Sequence, residues 1–151
     1  MRGKSRIEGL QFEQILERAC HIQGIQVIRM PDGCKVVGKN RLIRVKTPFD
    51  YILIYQGMSV YLDCKSFDSD RITNSQITEH QLESLLRIEE SGGIAGYLIY
   101  FRPAHAICFC RATDLAKIKP GSSLPGFSMV ILGSIEDFTL GRLFSLNWEA
   151  R

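Results

Sequence analysis

Asp50, Asp63 and Lys65 pose the first chemical question about this chain. Asp50 precedes the apolar run Tyr51-Ile52-Leu53-Ile54-Tyr55, and Asp63 and Lys65 follow the run Ser59-Val60-Tyr61-Leu62. Gln56-Gly57 between them is a plausible two-residue hairpin turn. That turn would pair Tyr55 with Met58, Leu53 with Val60, and Asp50 with Asp63. Opposed residues on paired strands share a face, with Cβ atoms ~5 Å apart. Lys65, two residues beyond Asp63, points to the same face. Two adjacent acids repel one another unless something neutralises them, and carboxylates among apolar strand residues are uncommon without a partner. A divalent cation is the economical solution, and hard oxygen donors suit Mg2+, with Mn2+ as a substitute. The lysine could then position a water or stabilise charge developing on a phosphate. The bland alternative is that Asp50 caps a strand start and Lys65 simply neutralises Asp63. The opposed register and the Thr47-Pro48-Phe49 lead-in weigh against it.

Other polar residues are more evenly balanced. Gln81 falls on a helical stripe with Ile77, Leu85 and Ile88, so its amide could reach the acids from a helix packed on the strands. Thr78-Glu79-His80-Gln81 also fits a capping box in which Gln81 serves the Thr78 backbone, and the residues alone slightly favour that reading. Glu13 lies near Glu17 in a first helix, where a solvated face is the ordinary expectation. His21, His80 and His105 fit no zinc spacing, although His80, next to Gln81, could face a nucleic acid. The cysteines are Cys20, Cys34, Cys64, Cys108 and Cys110: an odd count with no CxxC pair, which argues for a reducing compartment and against a disulfide scaffold or structural zinc.

The formal net charge is only +3, but its distribution says more. Lys35, Lys39, Arg41, Arg44 and Lys46 form a basic stretch without an acid, and Arg2, Lys4 and Arg6 form a second. Clustered cations of this kind suit phosphate contacts. Arg71 and His80 complete the set expected to face DNA. A solvated hairpin and a frayed terminus are the alternative. No apolar run approaches the ~18 residues of a membrane span, and the basic start lacks an apolar core behind it. A cytoplasmic protein is expected, with no membrane partner and no organic cofactor.

The elements that must position these residues can be read in outline. The 151 residues, 45% hydrophobic and 23% charged, suit one domain with a sizeable core. Residues 1–8 read as a basic arm ahead of a helix from Ile7 to about Gln23, stopped at Gly24. A strand over Ile25–Met30 is followed by the turn Pro31-Asp32-Gly33, then by strand or extended loop over 35–46. The hairpin strands come next, then a polar loop over 66–75 and a helix over 78–90 ended by Gly92-Gly93. Ile94–Phe101 and Ala106–Cys110 read as strands, Thr113–Ile118 as a short helix and 120–125 as loop. The segment from Phe127 to Trp148 is the least legible. This order predicts an α/β domain with a central mixed sheet flanked by helices.

Thr47-Pro48-Phe49-Asp50-Tyr51, Tyr55-Gln56-Gly57, Leu62-Asp63-Cys64-Lys65, His80-Gln81-Leu82-Glu83 and Gly92-Gly93-Ile94, in this order and spacing, resemble RecU-type Holliday junction resolvases. Archaeal Hjc-type resolvases share the same core. The resemblance spans roughly residues 9–101, with Gly9-Leu10-Gln11-Phe12-Glu13 matching the family's Gly-x-x-x-Glu helix. It implies a restriction-endonuclease-like PD-(D/E)XK core over residues 1–151. It also implies a metal-dependent, homodimeric endonuclease that resolves four-way DNA junctions by paired symmetric nicks. Carried over by position, Asp50 and Asp63 would bind metal, Lys65 would be the catalytic lysine, Glu13 an accessory metal-binding acid, and Gln81 an orienting group. The basic N-terminal segment matches a region that contacts DNA. The segment over 66–77 is shorter than in the family, so its protruding stalk is reduced or differently placed. Two other readings share the same residues: a restriction- or repair-type nuclease of this superfamily, and a DNA-binding module that keeps the fold without the chemistry.

Overall fold

The computed structural model describes residues 2–31, 33–39 and 41–145. The chain order is α1 (Arg2–Ile22), β1 (Gln26–Arg29), β2 (Gly33–Val37), β3 (Arg41–Val45), β4 (Tyr51–Tyr55), β5 (Met58–Phe67), β6 (Arg71–Thr73), α2 (Glu79–Glu90), β7 (Ile94–Phe101), β8 (Ala106–Arg111), α3 (Ala112–Ala116), β9 (Ser123–Pro125), β10 (Val130–Ser134) and α4 (Arg142–Ser145). The central sheet has six strands in the order β1-β4-β5-β7-β8-β10. It is mixed: β5 and β7 run parallel, and the other neighbours are antiparallel. A parallel pair cannot be joined by a tight turn. The crossover from β5 to β7 is the stretch that contains α2, which brings that helix over the sheet.

Each face of the sheet carries its own core. On one, Phe12, Leu16 and Cys20 of α1 pack with Tyr51, Leu53, Val60, Leu62, Leu98 and with Leu143 and Phe144 of α4. On the other, Leu85 of α2 and Ala112 and Leu115 of α3 pack with Ala95, Tyr97, Ile99, Cys108 and Cys110. The strict alternation along β5 and β7 follows from the two-residue period of a strand. Buried thiols serve packing here: desolvation pushes Cys108 up to about 11 and Cys110 up to about 12, far from a reactive thiolate.

The β4–β5 hairpin has the expected register from Tyr55↔Met58 to Tyr51↔Leu62. Gln56 and Gly57 both take positive φ, 50° and 78°, as the tight hairpin turn matching strand twist requires. The loop expected over 66–75 is partly strand. β5 continues to Phe67, and β6 pairs with β9, which lies in the segment read as loop over 120–125. Strands this short carry too few residues for a period-2 signal. The segment over 35–46 forms a separate two-stranded sheet, β2–β3.

The expected arm over residues 1–8 is corrected. From Arg2 onward the backbone is helical and continuous with α1. Its Arg, Lys and Glu residues are good helix formers, and no proline interrupts them. Phe12 meets Tyr100, with ring centroids 5.7 Å apart, while Ala19 and Ile22 border Tyr55 at the hairpin end. The N-terminal turns of α1 therefore point toward the end of the sheet where Asp63 and Lys65 lie. At its other end, Gln23 donates to the Phe138 carbonyl at 3.0 Å and accepts from the Leu140 N–H at 2.8 Å, tying the segment after β10 to α1. Among the described residues, no helix is long and apolar enough to cross a membrane.

Candidate active site

Asp63 is the one charged or polar residue among those described whose side chain is wholly buried. It sits on β5 under α2, beside Tyr97 in the parallel β5–β7 register. Its Oδ1 accepts a 2.8 Å hydrogen bond from Gln81 Nε2. Its Oδ2 lies 3.0 Å from Lys65 Nζ, yet that oxygen has no aligned hydrogen-bond donor. Lys65 Nζ in turn donates to Gln81 Oε1 at 3.2 Å. Gln81 thus uses both ends of its amide, donating to the acid and accepting from the amine.

Asp50 joins from the start of β4. The regular ladder ends at Tyr51↔Leu62, and the Asp50 N–H bonds to the Leu62 carbonyl at 2.9 Å. Its side-chain Oδ2 accepts the Cys64 N–H at 2.8 Å, taking the place of a ladder bond where β4 has ended. Phe49, buried edge-on against Tyr61, anchors the lead-in from the other side. The neighbouring Asp50 carboxyl acts on Asp63 in the same sense as burial, raising its pKa. Desolvation is the largest effect on Asp63. Attraction to Lys65 opposes it and repulsion from Asp50 reinforces it, and the carboxyl is pushed up to about 7. A buried acid with this balance lacks positive charge.

A divalent cation fits that deficit. Asp63 Oδ2 is a buried hard donor without an aligned partner, and the adjacent Asp50 carboxyl offers a second. Oxygen donors of this type match Mg2+ or Mn2+ and leave room for water and phosphate oxygens.

Gln81 resolves against its capping reading. Thr78 makes no side-chain cap bond at the start of α2, and the amide of Gln81 is committed to Asp63 and Lys65. One helical position is enough to aim it at the sheet, because Leu85, four residues on, is buried in the same interface.

Glu13, expected as an accessory metal ligand, lies outside the hydrogen-bonded group of Asp63, Lys65 and Gln81. Asp50, Asp63 and Lys65 face α2. Glu13 is carried on α1, over the opposite face, and its Oε2 pairs with Arg29 at 3.2 Å. Among the described residues, no group of three His, Cys, Asp or Glu is placed to share one ion.

The residues expected to face DNA are spread widely. Lys39, Arg41 and Lys46 are exposed on or beside the β2–β3 hairpin, and the backbone of Lys35 and Arg44 belongs to the same hairpin; the side chains of Lys35 and Arg44 lie outside the described set. The side chains of Arg2, Lys4 and Arg6 are likewise outside it, though their backbone forms the first turns of α1. Arg71 is exposed on β6 and donates to Ser123 Oγ at 2.9 Å, and His80 is exposed near the start of α2. Sequence reasoning missed the Cys64 backbone N–H and Tyr97. The first is invisible until β4 is known to stop short. The second is an ordinary strand aromatic whose place beside Asp63 depends on the parallel register.

The family model for RecU, described as Recombination protein U, matches residues 19–123. A Holliday junction resolvase RecU from Mycoplasmopsis pulmonis (strain UAB CTIP) is 36% identical over 59 residues, which cover 39% of this chain and 38% of that protein. The aligned part is thus well under half of that relative. Among solved structures, the Archaeoglobus fulgidus Hjc, a Holliday junction resolvase from an archaeal hyperthermophile, superposes with a TM-score of 0.57. That match covers 82% of this chain and 95% of the other at 16% identity, a likeness of fold.

Proposed function

Because the chain belongs to the RecU family of recombination proteins, we propose that it is a metal-dependent endonuclease that resolves four-way DNA junctions. The observation that carries this reading is the meeting of Asp50, Asp63, Lys65 and Gln81 on one face of the sheet, around a buried carboxylate oxygen without an aligned donor.

Asp50 and Asp63 would hold Mg2+, with Mn2+ as a substitute. The ion would supply Lewis-acid charge at the phosphate and lower the pKa of a bound water. The remaining steps belong to the chain. Lys65, held 3.2 Å from the Gln81 carbonyl oxygen, presents its ammonium where negative charge grows on a non-bridging phosphate oxygen. Gln81 fixes the lysine and Asp63 relative to one another, so neither must reorganise during the reaction. The Cys64 N–H holds Asp50 in the orientation that completes the pair. Hydrolysis breaks one P–O bond of the DNA strand and adds water across it. A homodimer would nick two symmetry-related strands, one per subunit. The basic hairpin and the N-terminal turns of α1 would supply sequence-independent phosphate contacts.

The test uses a four-way junction and linear duplex of the same sequence, each incubated with protein and magnesium. Paired symmetric nicks confined to the junction are expected. Equal cutting of both substrates would point to a general nuclease. Tight binding without cutting would point to a module that has lost the chemistry.

A further inference from the structure

Phe127 is 81% exposed, the most exposed of the large apolar side chains among the described residues. It is nonetheless held in place. It occupies a single 3-10 turn, Gly126–Ser128, closed by the Met129 N–H to the Gly126 carbonyl at 3.0 Å and by Ser128 Oγ to the Pro125 carbonyl at 2.7 Å. The turn is seated on the core at Gly126. A Cβ there would meet Phe101 ring carbons at 2.8 and 2.9 Å, so only glycine permits the approach. The Gly126 N–H donates to the Asp70 carbonyl at 2.8 Å, and Pro125 pairs with Arg71 in the β6–β9 sheet.

This turn belongs to the same layer as the proposed catalytic group. Lys65 and Phe67 share a face of β5. Phe67 meets Phe101, with ring centroids 6.3 Å apart, and Phe101 supports Gly126. Arg71 lies on the strand that clamps this turn, opposite Pro125, with its NH1 donating to Ser123 Oγ at 2.9 Å and its Nε 3.5 Å from Asp70 Oδ1. Ser128 follows the ring, Met129 is half-buried and Ile131 on β10 is 48% exposed, so a subunit contact is the competing occupant that the test must separate. A fixed, exposed ring on a turn clamped to a strand that carries an oriented guanidinium suits stacking on a base with a phosphate contact close by.

We propose that Phe127 is a stacking platform for a nucleobase unpaired or partly unstacked at the branch point of the DNA, with Arg71 contacting the adjoining phosphate. The inference rests on the nuclease reading and adds a binding site outside the catalytic group. The β6–β9 clamp keeps that site in register with Lys65 and Gln81.

The test is binding without cleavage, in EDTA, to a four-way junction carrying 2-aminopurine at the branch point. Wild-type protein should bind the junction more tightly than linear duplex and change the 2-aminopurine emission. Phe127→Ala should abolish most of that change and weaken junction binding about tenfold, the effect of one base stack. Phe127→Trp should retain both, and duplex affinity should stay the same in all three proteins. Light scattering is run on each protein. Wild-type emission and affinity in Phe127→Ala would overturn the proposal, as would a drop in that variant's oligomeric state, since the ring would then be a subunit contact. Failure of the function is seen separately, as wild-type protein that neither prefers the junction nor cuts it when magnesium is restored.

Discussion

The two faces of the central sheet are built from the same strands and serve opposite ends. The face under α1 is an apolar core in the ordinary sense, with Phe12, Leu16, Leu53 and Leu62 closed from water. The face under α2 has an equally buried core, but into it are set an acid, an amine and an amide. Burying a carboxylate costs free energy unless it is paired, and here the pairing is incomplete. Under the proposed function the contrast has a meaning: one face supplies stability, and the other gives some up to hold charges that a metal and a phosphate would use.

The largest effect expected from that division is catalytic. Asp63→Asn should lower metal-dependent junction cleavage by at least ~10³-fold while the protein still folds and binds DNA, as losing a group that stabilises transition-state charge implies. Gel-resolved cleavage rates and a binding titration check it. Retained turnover would remove Asp63 from the site. The counterpart on the other face is Leu16→Ala. Leu16 is fully buried in α1, so truncation should cost about 3 kcal/mol and lower Tm by roughly 6–12 °C. Below the transition, the cleavage rate per folded molecule should not change. If cleavage falls as steeply as stability, the two faces are not separable.

Gln81→Leu sharpens the boundary within the active face. Leucine keeps the packing of α2 but removes both amide bonds, to Asp63 and to Lys65. A loss of 10–100-fold in cleavage is expected, the usual cost of removing a partner that orients a ligand. Gln81→Glu should be worse than Gln81→Leu, because it sets a third acid beside two. An equal loss in both variants would mean that Gln81 acts only by filling space.

How far this division could be read in advance depended on the length of each signal. The hairpin was legible because its turn and alternating strands fix a register, and that register alone brought Asp50, Asp63 and Lys65 together. The α2 stripe was legible for the same reason, a period sustained over the helix. Gln81 was ambiguous because capping and site roles use the same residue at the same spacing, and only the helix's rotation over the sheet separates them. β6 and β9 were missed because three residues carry no period, and their pairing spans some fifty residues of chain, Thr73↔Ser123 among them. Glu13 was drawn toward the site by analogy alone. Nothing local said which face α1 would cover.

The pH dependence of stability separates the faces without any DNA. Asp63 is pushed up to about 7 from an ordinary carboxylate, chiefly by burial. A carboxyl whose folded pKa is raised costs nothing below its unfolded pKa. Its ionisation then weakens the fold progressively as pH rises toward 7. Metal-free Asp63→Asn should therefore melt several degrees above wild type at pH 8, and the gap should close as pH falls toward 4. Magnesium should raise the wild-type Tm and leave the variant unmoved. Melting curves at stepped pH, with and without magnesium, decide it. A gap that is constant with pH would mean that Asp63 is already ionised at no cost.

Glu13→Gln is the smallest effect and the sharpest test of the boundary. The Glu13 side chain is 23% exposed and its Arg29 partner 57%, so their 3.2 Å ion pair is a surface pair worth at most ~1 kcal/mol. If the catalytic group is confined to the α2 face, the variant should shift Tm by no more than roughly 2–4 °C. Cleavage rate and magnesium dependence should then stay within about threefold of wild type, a change of only ~0.7 kcal/mol. A loss of cleavage beyond tenfold, with a weaker magnesium response, would show that the first helix lends an acid around the sheet edge once DNA and metal are bound. The two faces would then share one site. Arg29→Gln distinguishes the routes to that result: it breaks the same ion pair and leaves the carboxylate in place, so it should mimic Glu13→Gln only if the pair, and not the acid, is what matters.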